Sequence, residues 1–488
     1  MLLRSSLLAA GFAALCLAAP SHAATRTLGS IQFTPCTLTS EMAAVPVEAQ
    51  CGSFTVPENR AEPEGRKIEL AIALIPAEGD AAADPVFMLA GGPGQGARDS
   101  YPSARGAFAH ILKQRHVILL DQRGTGGSNL LACKHENDLE ADVSHEAAAV
   151  SANACATELS KRADLRFYTT SDAIADLDAV REALGTEKID LIGISYGTRV
   201  AQQYMKHHPD RVRAVILDGV VPNSLVLGQD HAKNLDASLA AQFARCQEIP
   251  ACKESFGDPR ERYAAIARKL DAEPMQLTYR DAVTGEVKEG KLTRGMIATV
   301  LRMYAYQPVM ASTLPLIIHE IEQGHADAAL AQSNWMLSSL SDSIAQGMSQ
   351  SVTCSEDADE LIVDPADANT VMGAEFAGMI QTMCKEWPRG TRPADFREPV
   401  TAPIPTLLLS GEFDPVTPPR YGDEVARHLP NARHLVLRGQ GHNVIGAGCM
   451  SKLAAKFLET ADPNAPEADC LEQLHHAPPF VGYYGWEP

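Results

Sequence analysis

One stretch of this sequence restricts the possible folds more than any other. Residues 189–194 form a short apolar run that is typical of a buried strand, and residues 199–205 have a helical pattern. Between them lies Gly193-Ile194-Ser195-Tyr196-Gly197, a G-x-S-x-G sequence in a strand–turn–helix context. Such a turn pushes the serine hydroxyl to the carboxyl edge of a sheet, above a helix N-terminus. The pattern predicts that Ser195 is a nucleophile; the alternative is an ordinary tight turn that happens to contain serine.

Short apolar runs alternate with helical patterns over the first 222 residues. The predicted strands cover residues 66–76, 85–90, 117–120, 189–194 and 214–218. The predicted helices cover residues 104–113 and 173–184, the second with apolar residues at helical spacing. Strands that alternate with helices predict an α/β fold, a mostly parallel sheet with helices on both faces.

The alternation stops after residue 222. Residues 223–400 show helical patterns without regular apolar strands. The predicted helices there cover residues 236–246, 260–270, 294–304, 314–323 and 327–340. Strand patterns then return at residues 404–410 and 434–437, followed by a helix at 450–458. We therefore expect one core, formed by residues 24–222 and 401–488. A mainly helical cap, residues 223–400, is inserted before the last strands.

The N-terminus has the pattern of a secretory signal peptide. Arg4 provides a positive charge, Leu7 to Ala19 is apolar, and Ser21-His22-Ala23 fits a small-x-small cleavage site. The apolar run is too short for a stable membrane anchor. Cys16 lacks the context of a lipoprotein signal, so no lipid anchor is expected. Residues 1–23 therefore predict export to the periplasm or the extracellular space, with an uncleaved anchor as the alternative.

The chain is acidic, with a formal net charge of −19 at pH 7. A negative surface repels phosphate backbones and anionic lipid headgroups. We therefore expect neither nucleic acid nor a membrane surface among its partners. The sequence contains neither a C-x-x-C nor an H-E-x-x-H pattern, and we expect no metal and no cofactor.

Cysteine usage agrees with export. Of the eleven cysteines, ten remain when Cys16 of the signal segment is set aside. An even number in an exported chain favours disulfides over free thiols. Many connectivities are possible, and pairing of sequence neighbours suggests one. That connectivity is Cys36–Cys51, Cys133–Cys155, Cys246–Cys252, Cys354–Cys384 and Cys449–Cys470.

Candidate partners for Ser195 follow the last two predicted strands. A serine hydroxyl needs a base to become nucleophilic, and the base needs an orienting group. Asp414 comes just beyond one strand, and His442 comes just beyond the next. The order Ser, Asp, His is the one expected of an α/β-hydrolase. The sequence thus predicts a catalytic triad of these three residues.

A glycine-rich segment after an early strand is the candidate oxyanion hole. We expect the N–H groups of Gly92 and Tyr196 to bind the oxyanion, because glycine allows the backbone to approach it closely. A competing interpretation is a loose dinucleotide fingerprint, Gly92-x-Gly94-x-x-Ala97, with Asp121 as a ribose-binding acid. That interpretation is weaker, because proline at position 93 removes a donor and because it gives the candidate triad no role.

Four motifs in order resemble one family. They are Gly-Gly-Pro-Gly at 91–94, Asp-Gln-Arg-Gly-Thr-Gly at 121–126, Gly-x-Ser-Tyr-Gly-Thr at 193–198 and Gly-x-x-Asp-Pro-Val-Thr-Pro at 411–418. Together they resemble the proline iminopeptidase and tripeptidyl aminopeptidase group of serine peptidases, with the exported, cysteine-containing members as the closer match. The resemblance implies an α/β-hydrolase fold with a helical cap. It also implies an exopeptidase that cleaves residues or short peptides from free N-termini.

The same resemblance implies acidic groups that bind the substrate ammonium. Glu356 is the first candidate, because Cys354-Ser355-Glu356 is similar to a Cys-x-acid motif of the tripeptidyl group. Glu412, two residues before the candidate triad acid, is the second. The sequence departs from the family at Ala90, where many members have histidine, and at Pro415, where some iminopeptidases carry an acid. These departures leave the preferred N-terminal residue open.

Three functions are compatible with these motifs. The leading prediction is an exported serine exopeptidase acting on peptide substrates through an acyl-enzyme. A carboxylesterase would use the same triad without an ammonium site. A catalytically silent binding protein on the same fold is less favoured, because the triad is complete. The sequence makes no prediction of oligomeric state.

Overall fold

The structure is a computed structural model that describes residues 25–40, 43–133 and 144–486. The predicted signal peptide, residues 1–23, lies outside the described residues. Within the described residues, ten strands form one sheet and two form a separate hairpin. The strands are β1 (Arg26–Leu28), β2 (Ile31–Ser40), β3 (Ala43–Pro57), β4 (Lys67–Ile75), β5 (Val86–Leu89), β6 (Val117–Leu120), β7 (Ile189–Ile194), β8 (Val212–Asp218), β9 (Met275–Arg280), β10 (Val287–Leu292), β11 (Thr406–Gly411) and β12 (Ala432–Leu437).

The large sheet is parallel over the last six of its ten strands. Its order is β1-β2-β3-β4-β6-β5-β7-β8-β11-β12, with parallel pairing from β6 to β12 and antiparallel pairing from β1 to β6. Strands β5, β6, β7 and β11 are buried along their whole length, as expected for strands covered on both faces. The mostly parallel α/β sheet predicted from the alternation is confirmed.

Helices flank this sheet and fill the segment between β8 and β11. They are α1 (Ala97–Phe108), α2 (His145–Leu159), α3 (Thr170–Ala183), α4 (Tyr196–His207), α5 (His231–Glu248), α6 (Pro250–Phe256), α7 (Pro259–Ala272), α8 (Arg294–Ala305), α9 (Pro308–Ala311), α10 (Leu314–Glu322), α11 (Asp327–Ser343), α12 (Gln346–Glu356), α13 (Glu375–Met383), α14 (Pro419–Ala426) and α15 (Met450–Thr460). Short 3₁₀ turns lie at Ile111–Lys113, Leu165–Phe167, Pro209–Arg211, Pro365–Asn369 and Asp469–Gln473.

Alternate residues of the central strands pack on opposite faces of the sheet. In β7, Leu191 contacts the apolar layer that includes Val200 of α4, whereas Ile192 contacts the layer that includes Phe108 of α1 and Phe457 of α15. This period of two follows from the pleat of a strand. The two layers hold the sheet rigid beneath the loops at its carboxyl edge.

The structure differs from the sequence prediction in several regions, which include the unpredicted helices α2 and α14. Strands β1 to β3 were not predicted, because exposed polar residues interrupt their apolar ones, as the alternating burial of β2 shows. Helix α1 begins at Ala97 rather than at residue 104, and the carboxylate of Asp121 accepts a hydrogen bond from the Arg98 N–H in its first turn. The hairpin β9–β10 lies in the segment predicted to be without regular strands, and both strands are largely exposed.

The segment between β8 and β11 has its own apolar cluster and is fixed to the loops at the carboxyl edge. Leu235 of α5, Leu301 of α8 and Leu314 of α10 are fully buried in this cluster. The Asn234 amide donates to the carbonyl of Val416. Since that loop follows β11, the insert is held against the edge where the candidate catalytic residues were predicted.

All five predicted disulfides are present among the described residues: Cys36–Cys51, Cys133–Cys155, Cys246–Cys252, Cys354–Cys384 and Cys449–Cys470. Such bonds are typical of proteins in an oxidising compartment. Across the described ranges, no helix has both the length and the hydropathy needed to cross a bilayer.

Replacing Cys354 and Cys384 together by serine should lower the free energy of unfolding by about 2–4 kcal/mol, because the bond restricts the unfolded chain. Their sequence separation is 30 residues, against 15 for Cys36 and Cys51. The matched double replacement of the second pair should therefore cost about 0.6 kcal/mol less. Urea unfolding followed by fluorescence measures both. Unchanged stability in both variants, or several free thiols in the denatured wild type, would contradict the disulfides.

Candidate active site

Ser195 lies at the sharp turn between β7 and α4. It is the N-cap residue of α4 and has φ 56° and ψ −123°, a backbone conformation that is strained for a residue with a side chain. A Cβ atom on Gly197 would lie 2.2 Å from the carbonyl oxygen of Leu89, and one on Gly193 would lie 2.6 Å from the carbonyl oxygen of Gly197. Both positions therefore require glycine for the helix to approach the strands this closely.

Asp414 and His442 form a buried pair beyond β11 and β12. The Nδ1 atom of His442 lies 2.7 Å from Oδ2 of Asp414. The other carboxylate oxygen accepts the N–H groups of Val416 and Thr417, each at 2.8 Å, and the Thr417 hydroxyl donates to Oδ2. The structure thus brings together two of the residues predicted for the triad and fixes the carboxylate in one orientation.

The pKa shifts of Asp414 and His442 suit an orienting group and a base, respectively. Burial by itself would raise the pKa of Asp414, but the His442 charge and the surrounding hydrogen bonds outweigh burial and hold the pKa below its usual value. Burial would lower the pKa of His442, but Asp414, and to a smaller extent Asp218, raise it above its usual value. Asp414 therefore stays ionised, and His442 is a stronger base than a free imidazole.

The end of β8 contacts both halves of the site. The carbonyl oxygen of Asp218 accepts the Ser195 N–H at 2.8 Å. Its carboxylate accepts the N–H groups of Val444 and Ile445, each at 2.9 Å, just after His442. Burial raises the pKa of Asp218 to about 6. The sequence showed an acid at the end of a buried strand, but nothing in the pattern indicated that it fixes the histidine loop.

The segment after β8 also lies against the imidazole, and the insert covers the other side. A Cβ on Gly219 would lie 2.9 Å from Cε1 of His442. From the insert, the carbonyl oxygen of Tyr306 accepts the backbone N–H of His442 at 2.9 Å. The Tyr306 ring lies edge-on to the imidazole, with the two ring centroids 5.0 Å apart. Sequence reasoning missed Tyr306, because its contact depends on how α8 packs.

The predicted oxyanion donors line the same cavity as Ser195. Gly92 and Tyr196 are both among the residues around it. Tyr196 is the first residue of α4, and the N–H groups of a first helical turn have no partner within the helix. Gly92 has φ 105°, which favours glycine. The arrangement can place two backbone donors beside a carbonyl that Ser195 attacks.

Asp121 has a structural role that leaves no ribose-binding acid for the dinucleotide interpretation. It is 1% exposed, and its two carboxylate oxygens accept the N–H groups of Arg98 and Gly127, each at 2.9 Å. Desolvation raises its pKa to about 6, against the effect of these bonds. Asp121 therefore holds the start of α1 and the loop after β6 in place.

The cavity above Ser195 has a volume of about 300 Å³ and a mostly apolar lining. Its apolar side chains include those of Val221, Leu225, Val226, Leu227, Ile344, Ile380, Met383 and Val416. Asp230 is the one carboxylate in this lining among the described residues, and Arg302 and His231 are the basic groups. Across the described part of the chain, no group of three or more His, Cys, Asp or Glu is arranged to hold a metal.

The two acids predicted to bind an ammonium lie outside this lining. Glu356 is 1% exposed and accepts the N–H and hydroxyl of Thr170, at 2.5 and 2.9 Å. Burial raises its pKa to about 7. Glu412 accepts the Gly439 N–H and contacts Nε2 of His476. Glu356 therefore faces α3, and Glu412 faces the C-terminal segment.

Asp230 is the acid that lines this cavity instead of Glu356 and Glu412. It precedes α5, and its Oδ2 accepts the hydroxyl of Tyr421 at 2.8 Å. Nothing in its sequence context distinguishes it from the other acids of the chain, because its position depends on the packing of the insert. The structure thus leaves a single half-buried carboxylate facing the cavity within the described residues.

Comparison with known proteins bears on the family. A family model described as alpha/beta hydrolase fold matches residues 84–265, and one described as TAP-like protein matches residues 369–470. Serine protease Hip1 of Mycobacterium tuberculosis is 27% identical over 484 residues, which cover 88% of each chain. These matches support the α/β-hydrolase peptidase family that the motifs predicted, and the predicted fold is confirmed. The peptidase-type relatives also support a serine hydrolase.

Two shorter matches within this family concern exopeptidases. Tripeptidyl aminopeptidase of Streptomyces lividans is 31% identical over 198 residues, 36% of each chain. Proline iminopeptidase of Neisseria gonorrhoeae is 32% identical over 136 residues, 28% of this chain and 32% of the relative. These matches span a minor part of each chain. The specificity of this hydrolase is therefore argued below from the residues of its own cavity.

Hydrolysis should increase with pH through a single midpoint that lies above about 6.5, the usual pKa of histidine. The neutral imidazole accepts the serine proton, and Asp414 raises the pKa of His442. Asp414→Asn should lower this midpoint and reduce turnover by about 10⁴-fold. The profile of kcat/KM from pH 5 to 9 measures both effects.

Glu356 also titrates in this range, with a pKa of about 7, and provides the control. Glu356→Gln removes that titration and should leave the midpoint in place. Loss of the transition in Glu356→Gln would assign it to the glutamate and contradict a histidine base.

Proposed function

We propose that this protein is an exported serine exopeptidase that releases residues or short peptides from free N-termini. Ser195 is the nucleophile, His442 the base and Asp414 the group that orients it. The observation that carries this proposal is the cavity above Ser195, whose described lining contains one carboxylate, Asp230. The disulfides support the part of the proposal that concerns export through residues 1–23.

The proposed reaction is acyl transfer to serine. His442 takes the proton of the Ser195 hydroxyl as its oxygen attacks the scissile carbonyl carbon. The N–H groups of Gly92 and Tyr196 stabilise the oxyanion. The imidazolium then protonates the leaving amine as the C–N bond breaks, and a water molecule hydrolyses the ester in the reverse sequence of proton transfers. Asp414 remains ionised throughout, in agreement with its lowered pKa.

The volume of the cavity supports cleavage at a chain end rather than within a chain. Its volume of about 300 Å³ lies at the low end of the range for small-ligand sites. Residues of α5, α8 and α13 line it, including Asn234, Arg302 and Phe376. A short N-terminal segment fits such a space, whereas an extended chain needs an open groove on both sides of the serine.

Asp230 replaces Glu356 and Glu412 as the proposed ammonium-binding acid. Its half-buried carboxylate is oriented by the Tyr421 hydroxyl. A charge-assisted hydrogen bond to an ammonium is about twice as strong as a neutral one, and a half-buried site screens it less than bulk water does. A free N-terminus therefore gains affinity that an acetylated one lacks.

A carboxylesterase is the second candidate, and the apolar lining favours it. Val221, Leu225 and Ile380 present aliphatic surface to the cavity. An ester with a hydrocarbon acyl group would be stabilised there by burial of apolar area. The two functions differ in whether the substrate needs a free amine.

Ser195→Ala should reduce hydrolysis by about 10⁴–10⁶-fold without unfolding the protein. The assay uses aminoacyl and tripeptidyl p-nitroanilides, each with a free or an acetylated amine, beside simple p-nitrophenyl esters. The wild type should cleave the free-amine amides with the highest kcat/KM. Faster cleavage of the esters and equal rates for free and acetylated amides would support the esterase instead.

Asp230→Asn should lower kcat/KM for free-amine substrates by about 10- to 100-fold, because it removes a charged hydrogen-bond partner. The rate for acetylated substrates should change much less. Asp236→Asn is the matched control, since it removes the same charge from α5 and its side chain pairs with Arg260 outside the cavity. A selective loss in Glu356→Gln, with Asp230→Asn unaffected, would return the role to Glu356.

A further inference from the structure

We propose that Arg302 binds a carboxylate of the substrate, so that this hydrolase prefers peptides with a negative charge close to the scissile bond. The assignment rests on the proposed function, because it names a substrate feature for the same cavity. Arg302 would select substrates by their negative charge, whereas the ammonium site selects them by the positive charge of the N-terminus.

Arg302 lines the cavity that also contains Ser195. Among residues 25–40, 43–133 and 144–486, no hydrogen bond or ion pair joins its guanidinium to another protein group. The guanidinium carbon lies 5.3 Å from the centroid of the Phe376 ring. This cation–π contact uses none of the guanidinium N–H groups as hydrogen-bond donors, so they remain available for a ligand.

Helix α8 fixes the distance of Arg302 from the catalytic residues. Tyr306 follows Arg302 by four residues, so both start from the same face of the helix. Tyr306 contacts His442 through its carbonyl oxygen and its ring. Arg302 therefore lies about one helical turn from a residue that touches the base, which is close enough to reach a substrate held at Ser195.

The neighbours of Arg302 do not neutralise its charge. Burial and the Arg302 charge lower the pKa of His231 to about 3, so His231 is a neutral ring at physiological pH. His231 packs edge-on against the same aromatic ring, with the two ring centroids 5.3 Å apart. Arg302 is half-buried, and its guanidinium has no counter-ion among the described residues. A bound carboxylate would provide one, in the two-bond geometry that arginine favours.

The carboxylate can come from two parts of a substrate. One is an acidic side chain in the segment N-terminal to the scissile bond. The other is the C-terminal carboxylate of a short peptide. Glutamyl and glutaminyl p-nitroanilides test the first source, and Ala-Ala-Ala with a free or an amidated C-terminus tests the second. The two members of each pair differ by one negative charge and have nearly the same shape.

The wild type should cleave the acidic member of at least one pair with a kcat/KM about 10- to 100-fold higher, as expected for a charged hydrogen bond. Arg302→Gln should bring that ratio close to one, and Arg302→Lys should restore part of it. Arg268→Gln is the matched control, because it removes the same charge from an exposed position on α7. The pair that responds identifies the source of the carboxylate.

Ratios near one for both pairs in the wild type would overturn the assignment, even if Arg302→Gln fails to fold. A preference that survives in Arg302→Gln would overturn it as well. The p-nitrophenyl monoesters of succinate and succinamate separate this result from the proposed function. An Arg302-dependent preference for the succinate ester without any peptide cleavage would support Arg302 and refute the exopeptidase. Peptide cleavage without a charge preference in any pair would support the exopeptidase and refute the role of Arg302.

Discussion

The close packing of α4 against the ends of β5 and β7 is the constraint on which the site depends. Gly197 lies so near the Leu89 carbonyl that any side chain would force the helix away from the sheet. This packing holds Ser195 at a positive φ and directs it to the carboxyl edge. The strand order β5-β7-β8 then decides its neighbours. The loop with Gly92 follows one adjacent strand and Asp218 ends the other, so candidate donors and the support for the histidine loop flank the serine.

A second set of hydrogen bonds joins the insert to the catalytic loops. Ser238 of α5 donates to the carbonyl of Phe413, next to Asp414. The carbonyl at the end of α8 accepts the N–H of His442. The helices that line the cavity are thereby bound to the same backbone that carries the candidate triad. Displacing α5 or α8 would move the proposed ammonium and carboxylate sites together with the acid and the base, so specificity and catalysis share one scaffold.

The sequence was informative where the signal is local. The buried strands, the turn at Ser195 and the acid and histidine beyond the last strands each have a pattern within a few residues. The structure contains these strands and this turn, and it brings the acid and the histidine into contact. Contacts that depend on packing were not predictable. Glu356 matches a short motif, yet its side chain faces Thr170 of α3. Asp230 and Arg302 have no motif at all, because only the folding of the insert brings them to the cavity.

The charges of the cavity differ from those of the chain as a whole. The chain carries a formal net charge of −19, which favours the approach of cations and disfavours anions. A free N-terminus is attracted by this field even before it meets Asp230. A carboxylate is not, and within a mostly apolar cavity it needs a partner that compensates its lost hydration. Arg302, beside a neutral His231, provides that partner. In the proposed site, one acid and one cation therefore make the cavity complementary to a substrate that carries both charges. The surrounding acidic surface alone would not select such a substrate.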